Sequence, residues 1–186
     1  MTFVAPAQRP GREAELARYR LHRNSPDDAG YRAFLGRLVE ALAPRLQPPM
    51  DGLDYGSGPG PTLSRMLEEK GHRVRLYDPF FAPDAAALRR RYDFITCTET
   101  VEHFHRPTAE LRRLDRLLRP GGWLGIMTGM RRAGRPLRAW WYAQDPTHVC
   151  FYERRTMLWI ARRHDWRALF PRPDIVLFRK PPATDA

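Results

Sequence analysis

A chain of 186 residues holds one core of ordinary size and is too short for two comfortable domains. No segment approaches the roughly eighteen apolar residues of a membrane span, and Met1-Thr2-Phe3-Val4-Ala5-Pro6 lacks the basic start and apolar core of a secretory signal, so a soluble, cytoplasmic protein is expected. Two cysteines, Cys97 and Cys150, rule out a disulfide framework or a cysteine zinc site, while a net charge of +11 raises an acidic partner such as a nucleic acid.

In chain order, residues 11–23 and 28–46 read as two helices separated by Asn24-Ser25-Pro26-Asp27, where Ser or Asp caps and Pro opens the second. Leu35, Leu38, Val39 and Leu42 give that helix one apolar face, and Gln47-Pro48-Pro49 stops it. Strand and helix then alternate: strand 52–55, helix 61–70, strand 73–78, helix 83–91, strand 92–98, helix 108–118, and strand 123–128 after the Pro120-Gly121-Gly122 turn. This is the pattern of an α/β, doubly wound sheet. Residues 131–146 lack periodicity and read as a loop suited to a substrate-facing insertion. A helix over 154–164 with Met157, Leu158 and Ile160 inward precedes a hairpin-like ending, in which 166–170 pairs with 174–178 across Pro171-Arg172-Pro173. Residues 181–186 read as a frayed tail.

Only Lys70 and Lys180 among the 32 basic residues are lysines, and the arginines are spread along the chain. Arg112, Arg113, Arg116 and Arg119 alternate with Leu111, Leu114, Leu117 and Leu118 at helical spacing, as on a solvated face opposite a core stripe. The charge is therefore read as a surface property, with RNA kept as an alternative partner.

The most informative run is Leu53-Asp54-Tyr55-Gly56-Ser57-Gly58-Pro59-Gly60, where three alternate glycines follow an apolar segment. Such a loop turns tightly and brings backbone N–H groups to a ligand. The dinucleotide fingerprint Gly-x-Gly-x-x-Gly does not fit, because the third glycine comes one position early and Pro61 stands in its place. Asp78, at the end of Arg73-Val74-Arg75-Leu76-Tyr77, stands where a carboxylate accepts hydrogen bonds from ribose hydroxyls.

These segments, with Tyr92-Asp93-Phe94-Ile95-Thr96-Cys97-Thr98-Glu99-Thr100-Val101-Glu102-His103-Phe104 and Leu117-Leu118-Arg119-Pro120-Gly121-Gly122-Trp123-Leu124, resemble a class I S-adenosylmethionine-dependent methyltransferase, similar to the ubiquinone-type O-methylating enzymes. The resemblance runs from about residue 50 to 180. It implies a mostly parallel Rossmann-like sheet of six or seven strands with an antiparallel C-terminal strand, and S-adenosyl-L-methionine as cofactor. The expected organisation is an N-terminal helical extension or lid over 1–47, the cofactor-binding domain over 48–180, and the tail.

By the resemblance, Gly56, Ser57, Gly58 and Gly60 approach the methionine moiety, Asp54 lies near its amino group, Asp78 binds the ribose, and Tyr55 is counted with the cofactor-binding residues. Phe80 covers the adenine, with Pro79 and Phe81 sharing that candidacy, and the Thr98-Glu99 loop holds the methionine end. Core packing is the competing reading for Phe80 and Phe81. Glu99, Glu102 and His103 at i, i+3 and i+4 invite a metal reading, which is set aside because only His105 lies close as a further donor. No metal is expected.

His148, in the aromatic run Trp140-Trp141-Tyr142-Ala143-Gln144-Asp145-Pro146-Thr147-His148, is the first candidate for a general base and His103 the second. Cys97-Thr98-Glu99-Thr100 lacks the Asn or Asp, Pro-Pro and aromatic that serve methylation of base amino groups, so a small-molecule acceptor is expected. RNA, or a cofactor-binding protein without turnover, are the alternatives. The short stretch 79–91 leaves out or shortens the third strand and its adenine-reading acid, for which Asp84 is a substitute.

Overall fold

The computed structural model describes residues 1–21 and 25–183; the end of the first predicted helix, Asn24 and the last three residues of the tail lie outside them. Strand β1 (Thr2–Phe3) and helices α1 (Arg12–Tyr19) and α2 (Ala29–Leu42) come first. Strand β2 (Asp51–Tyr55), helix α3 (Thr62–Glu68) and strand β3 (Arg73–Tyr77) follow, then β4 (Tyr92–Thr98), α4 (Pro107–Leu117) and β5 (Leu118–Met127). The chain finishes with β6 (Cys150–Phe151), α5 (Arg154–Arg163), β7 (Arg167–Arg172) and β8 (Ile175–Arg179). Six strands form one sheet in the order β3-β2-β4-β5-β8-β7, parallel from β3 to β5, with β8 antiparallel to both β5 and β7. β1 pairs with β6 apart from it.

Alternation along the buried strands feeds two cores. Leu53, Ile95, Leu124, Ile126, Val176 and Phe178 face α4 and α5, whereas Phe94, Trp123, Met127, Ile175 and Leu177 face α2 and α3. Strands buried on both faces read as nearly continuous apolar runs, as Ile175 to Phe178 do in β8. Asp28 caps α2 by accepting a hydrogen bond from the Tyr31 amide at 2.9 Å. That helix ends at Leu42, sooner than its pattern suggests, because Pro44 has no N–H to donate and a 3₁₀ turn takes over at Ala43–Arg45.

Three expectations need correction. The helix predicted over 83–91 is absent: Asp78 and Ala82 form a tight bridge, and only a 3₁₀ turn, Ala87–Arg89, follows. That bridge returns the chain to the end of β3. A helix over 83–91 would then rise only about 14 Å, short of the roughly 17–20 Å of strand that a parallel crossover retraces. Leu158 is not inward but exposed, while Met157, Ile160 and Ala161 share the buried face of α5, one helical turn apart. Strand β5 begins at Leu118, and the Pro120-Gly121-Gly122 turn becomes an irregularity inside it, with Gly121 at φ +73°.

Among the described residues no helix is long and apolar enough to cross a membrane. Both cysteines are free and buried.

Gly52 shows how tightly the sheet is packed, since a Cβ there would collide with the fully buried ring of Phe94. Gly52→Ala is expected to lower the unfolding free energy by about 1–3 kcal/mol, measured by urea denaturation.

Candidate functional site

The strand order reverses at β2, whose neighbours β3 and β4 continue in opposite directions across the sheet. A crevice must open beyond the carboxyl ends of strands at such a point. It does so as a cleft of about 670 Å³, lined by the turns after β2, β3 and β4, by α1, and by the 141–148 loop. That volume lies in the range of small-molecule sites.

Gly56 and Gly58 take positive φ of 79° and 64°, the region that favours glycine. A Cβ on Gly56 would also collide with the Thr100 side chain, so this glycine lets the turn after β2 lie against the turn after β4. The loop amides are not bare, as the glycine spacing suggests. Those of Gly56 and Ser57 donate to the Tyr77 carbonyl at 2.7 and 3.3 Å, and that of Gly58 donates to Asp78 Oδ2 at 3.0 Å. The loop is braced against β3 and offers no cradle of these N–H groups to a phosphate.

Asp78 is the knot of this arrangement. Its Oδ1 accepts from the Phe80 and Phe81 amides at 2.8 and 3.0 Å, so with Gly58 three backbone donors converge on one buried carboxylate. A carboxylate has about four acceptor sites, which leaves one for a ligand.

Tyr55, Ser57, Pro79, Phe80, Thr98, Glu99, His103 and His148 also line the cleft. Asp54 and Gly60 line instead a small recess beside it, together with Gly56, Ser57 and Thr98. Buried Asp54 accepts a hydrogen bond from Thr96 Oγ1 at 2.9 Å. Loss of hydration pushes its carboxyl up to about 7, against that hydrogen bond. Ser57 Oγ and Thr98 Oγ1 are buried without a partner among the described residues, and such atoms are few in folded proteins. Asp84 does not line the cleft; its side chain accepts from the Ala86 amide and lies 3.8 Å from Arg75.

The opposite end is a buried acid network. Glu102, fully buried, accepts from the Tyr142 hydroxyl at 2.6 Å and from Thr128 Oγ1 at 2.9 Å. Glu99, at φ +46°, lies 3.2 Å from the same Tyr142 oxygen. Burial raises both carboxyls, and burial together with the Glu102 charge takes Glu99 to about 9. Loss of hydration is the largest cause for both, and at Glu102 the nearby His148 and the Tyr142 and Thr128 hydroxyls act against it.

His148 holds Nδ1 2.6 Å from the Tyr142 carbonyl, and His103 holds Nδ1 2.9 Å from the Thr147 carbonyl. A carbonyl only accepts, so each Nδ1 carries its hydrogen, and in a neutral His148 the lone pair stands on Nε2. The two rings are 4.8 Å apart. Burial lowers the pKa of His148 below the ordinary histidine value, which keeps it neutral near pH 7. Glu102, His103 and His148 place donor atoms within 4.8 Å of one another, the group among the described residues with the composition to hold a metal ion.

Helix α1 crosses the cleft from wall to wall. Arg12 donates to the Pro79 carbonyl at 2.9 Å and lies 4.3 Å from the Phe80 ring centre; Glu15 meets His105 Nε2 at 2.8 Å; Arg18 pairs with Asp145 at 2.7 Å. Tyr19 packs edgewise on both Phe80 and His103. None of these residues is distinguishable in the sequence from an ordinary polar helix face. Arg113, read there as part of a solvated face, lines the cleft.

A family model described as a methyltransferase domain matches residues 28–169. The chain belongs to this methyltransferase family. That membership agrees with the class I S-adenosylmethionine-dependent resemblance. The chain is 32% identical over 105 residues to the ubiquinone biosynthesis O-methyltransferase of Serratia proteamaculans, a match covering 56% of this chain and 42% of that one. It thus spans about two-fifths of that relative's length.

Among solved structures, it resembles the 1,6-didemethyltoxoflavin-N1-methyltransferase of Burkholderia thailandensis, crystallised with 1,6-didemethyltoxoflavin and S-adenosylhomocysteine. There the TM-score is 0.65 at 19% identity, over 97% of this methyltransferase-family chain and 92% of the other. It also resembles the [4+2]-cyclase SpnF, with a TM-score of 0.52 at 15% identity over 82% of each chain. The fold is shared, and a cyclase on it shows that fold alone does not name the reaction.

The raised Asp54 gives a pH test of the site. The native state binds this proton up to about pH 7, whereas an unfolded aspartate releases it near 3.8, so its burial costs stability increasingly as pH rises through that window. Asp54→Asn, which keeps an acceptor for Thr96, is expected to stabilise the protein at pH 8 by on the order of 4 kcal/mol at most, and to have little effect at pH 4. Denaturation at the two pH values checks this.

Proposed function

We propose that this protein transfers the methyl group of S-adenosylmethionine to a small-molecule acceptor by in-line displacement. The observation that carries the reading is that one cleft joins the Gly56–Asp78 knot to a neutral imidazole with its lone pair on Nε2. The residues fit the cofactor. Asp78 keeps one acceptor site for a ribose hydroxyl; Gly56 to Gly58 allow the methionine portion to lie against the loop; the Asp54 carboxyl, raised to about 7 by burial, is drawn to its ionised form by the amino group it faces; and the unpaired Ser57 and Thr98 hydroxyls supply polar contacts. When bound, the cofactor supplies a methyl group already activated by a sulfonium.

What remains for the protein is alignment and exclusion of water. Helix α1 serves as the lid, because its contacts reach Pro79, His105 and Asp145 on separate walls. His148 accepts the acceptor's proton at Nε2 while the Tyr142 carbonyl holds Nδ1–H and fixes the ring. Such a base suits a hydroxyl acceptor, and Tyr31, Phe34, Trp141 and Tyr142 make the adjoining surface apt for a flat phenolic one. The O-methyltransferase relatives support the same class.

The net charge of +11 favours RNA as acceptor, yet the cleft lining mixes Arg12, Arg106 and Arg113 with Glu15, Glu99, Glu110 and Asp145. A basic track for a phosphate backbone would not carry so many carboxylates.

Two substitutions separate binding from chemistry. Asp78→Ala is expected to weaken S-adenosylhomocysteine by about ten- to a hundredfold in calorimetry, the worth of hydrogen bonds to a charged group. His148→Ala is expected to leave that affinity unchanged and to lower kcat by about 10²–10⁴-fold on a phenolic acceptor. The wild-type kcat should fall on the acid side with an apparent pKa below the ordinary histidine value of about 6.5. Unchanged affinity in Asp78→Ala would place the ribose elsewhere, and undiminished kcat in His148→Ala would remove the base.

A further inference from the structure

One wall of the cleft has no part in the reaction described so far. Tyr55, buried at the end of β2, donates its hydroxyl to Glu110 Oε2, and Arg113 donates NH1 to Tyr55 Oη at 3.0 Å and to the two Glu110 oxygens at 3.0 and 2.8 Å. Both charged residues sit on α4, three positions apart, with side chains 22% and 37% exposed. An ordinary surface pair at this spacing would not be tied to a buried tyrosine. The Tyr55 ring lies 5.0 Å from that of Tyr77, its partner across β2 and β3 and the residue before Asp78. Glu110 and Arg113 are thus linked through two aromatic rings to the carboxylate assigned to the ribose, and all of them line the same cleft.

On the α1 side, Arg12 is engaged by the Pro79 carbonyl and the Phe80 ring and Glu15 by His105. The segment 79–91 is a tight turn and a 3₁₀ turn, and Asp84 within it is committed to the Ala86 amide outside the cleft. The carboxylate and guanidinium that stand side by side on one element of this lining, anchored by a buried tyrosine, are those of α4. The Watson–Crick edge of adenine presents a donor, the 6-amino group, next to an acceptor, N1. Its complement is an acceptor beside a donor, which is what a carboxylate and a guanidinium 2.8 Å apart present. Glu110 Oε1 accepts only from Arg113 among the described residues, and a carboxylate oxygen takes two hydrogen bonds.

We propose that Glu110 and Arg113, positioned by Tyr55, read the amino-pyrimidine edge of the adenine and so set the base specificity of this site. The inference rests on the S-adenosylmethionine reading. It adds that a helix after β4 takes over a contact that the shortened segment after β3 leaves unmade.

The test is calorimetric titration with S-adenosylhomocysteine and with S-inosylhomocysteine, in which the 6-amino group is replaced by an oxo group and N1 carries a hydrogen. Wild-type protein is expected to prefer the adenine compound by at least about tenfold, because the Glu110 carboxylate faces an oxygen in the inosine compound. Glu110→Gln retains an acceptor for Tyr55 and adds an amide donor, so the preference is expected to shrink about tenfold or more. Arg112→Gln, at an exposed neighbour, is expected to keep it. Equal affinities in the wild type, or a Glu110→Gln variant that loses affinity for both compounds alike, would overturn the proposal and make Glu110 a structural residue. Failure of the wild type to bind either compound would instead overturn the cofactor reading itself, and this proposal with it.

Discussion

Three backbone amides from two different turns end on the Asp78 carboxylate, and the shape of the cleft depends on that convergence. Gly58 comes from the loop after β2, Phe80 and Phe81 from the turn after β3, and the Tyr77 carbonyl binds the loop a second time through Gly56 and Ser57. Hydrogen bonds to a charged acceptor are about twice as strong as neutral ones. The carboxylate therefore holds the floor of the site before any ligand arrives, at the expense of three of its own acceptor positions. A ligand completes this carboxylate's hydrogen bonding; it does not create the site.

The same economy of parts shapes the rest. With no helix between β3 and β4, the turn at 79–82 stays close to the sheet end and meets α1 through Arg12, Tyr19 and Phe80. The N-terminal helix contributes a wall on one side while α4 contributes one on the other. At the opposite end, the buried Glu102 carboxyl accepts from two hydroxyls, and it lies beside imidazoles whose Nδ1 hydrogens are fixed on main-chain carbonyls.

What was legible in the sequence follows from the range of the interactions involved. The Gly56–Gly60 run, Asp78 and the alternation of strands and helices are local signals, and the structure carries them with small shifts of boundary. Six strands with an antiparallel end were legible for the same reason. The helix over 83–91 was misread because its alanine and arginine content favours helix locally, while the crossover length, a non-local constraint, does not allow one. Leu158 was misplaced by treating a run of apolar residues as a face. The contributions of Arg12, Glu15 and Tyr19 were not legible at all, since their partners stand 60 to 90 positions away and a charged helix face does not name what it touches. Arg113 belongs to the same class: of Arg112, Arg113, Arg116 and Arg119, it is the one that meets Tyr55, and the spacing does not single it out.

The account is tested most directly by calorimetric titration of the unmodified protein with S-adenosylhomocysteine and, separately, with NAD. The Gly56, Ser57 and Gly58 amides are spent on β3 and Asp78 and are not free to cradle a pyrophosphate, whereas the contacts proposed for the ribose and the amino group remain open. Saturable one-site binding of S-adenosylhomocysteine with no detectable heat from NAD is the result the account predicts. Preference for NAD, or no binding of the sulfur nucleotide, would contradict it.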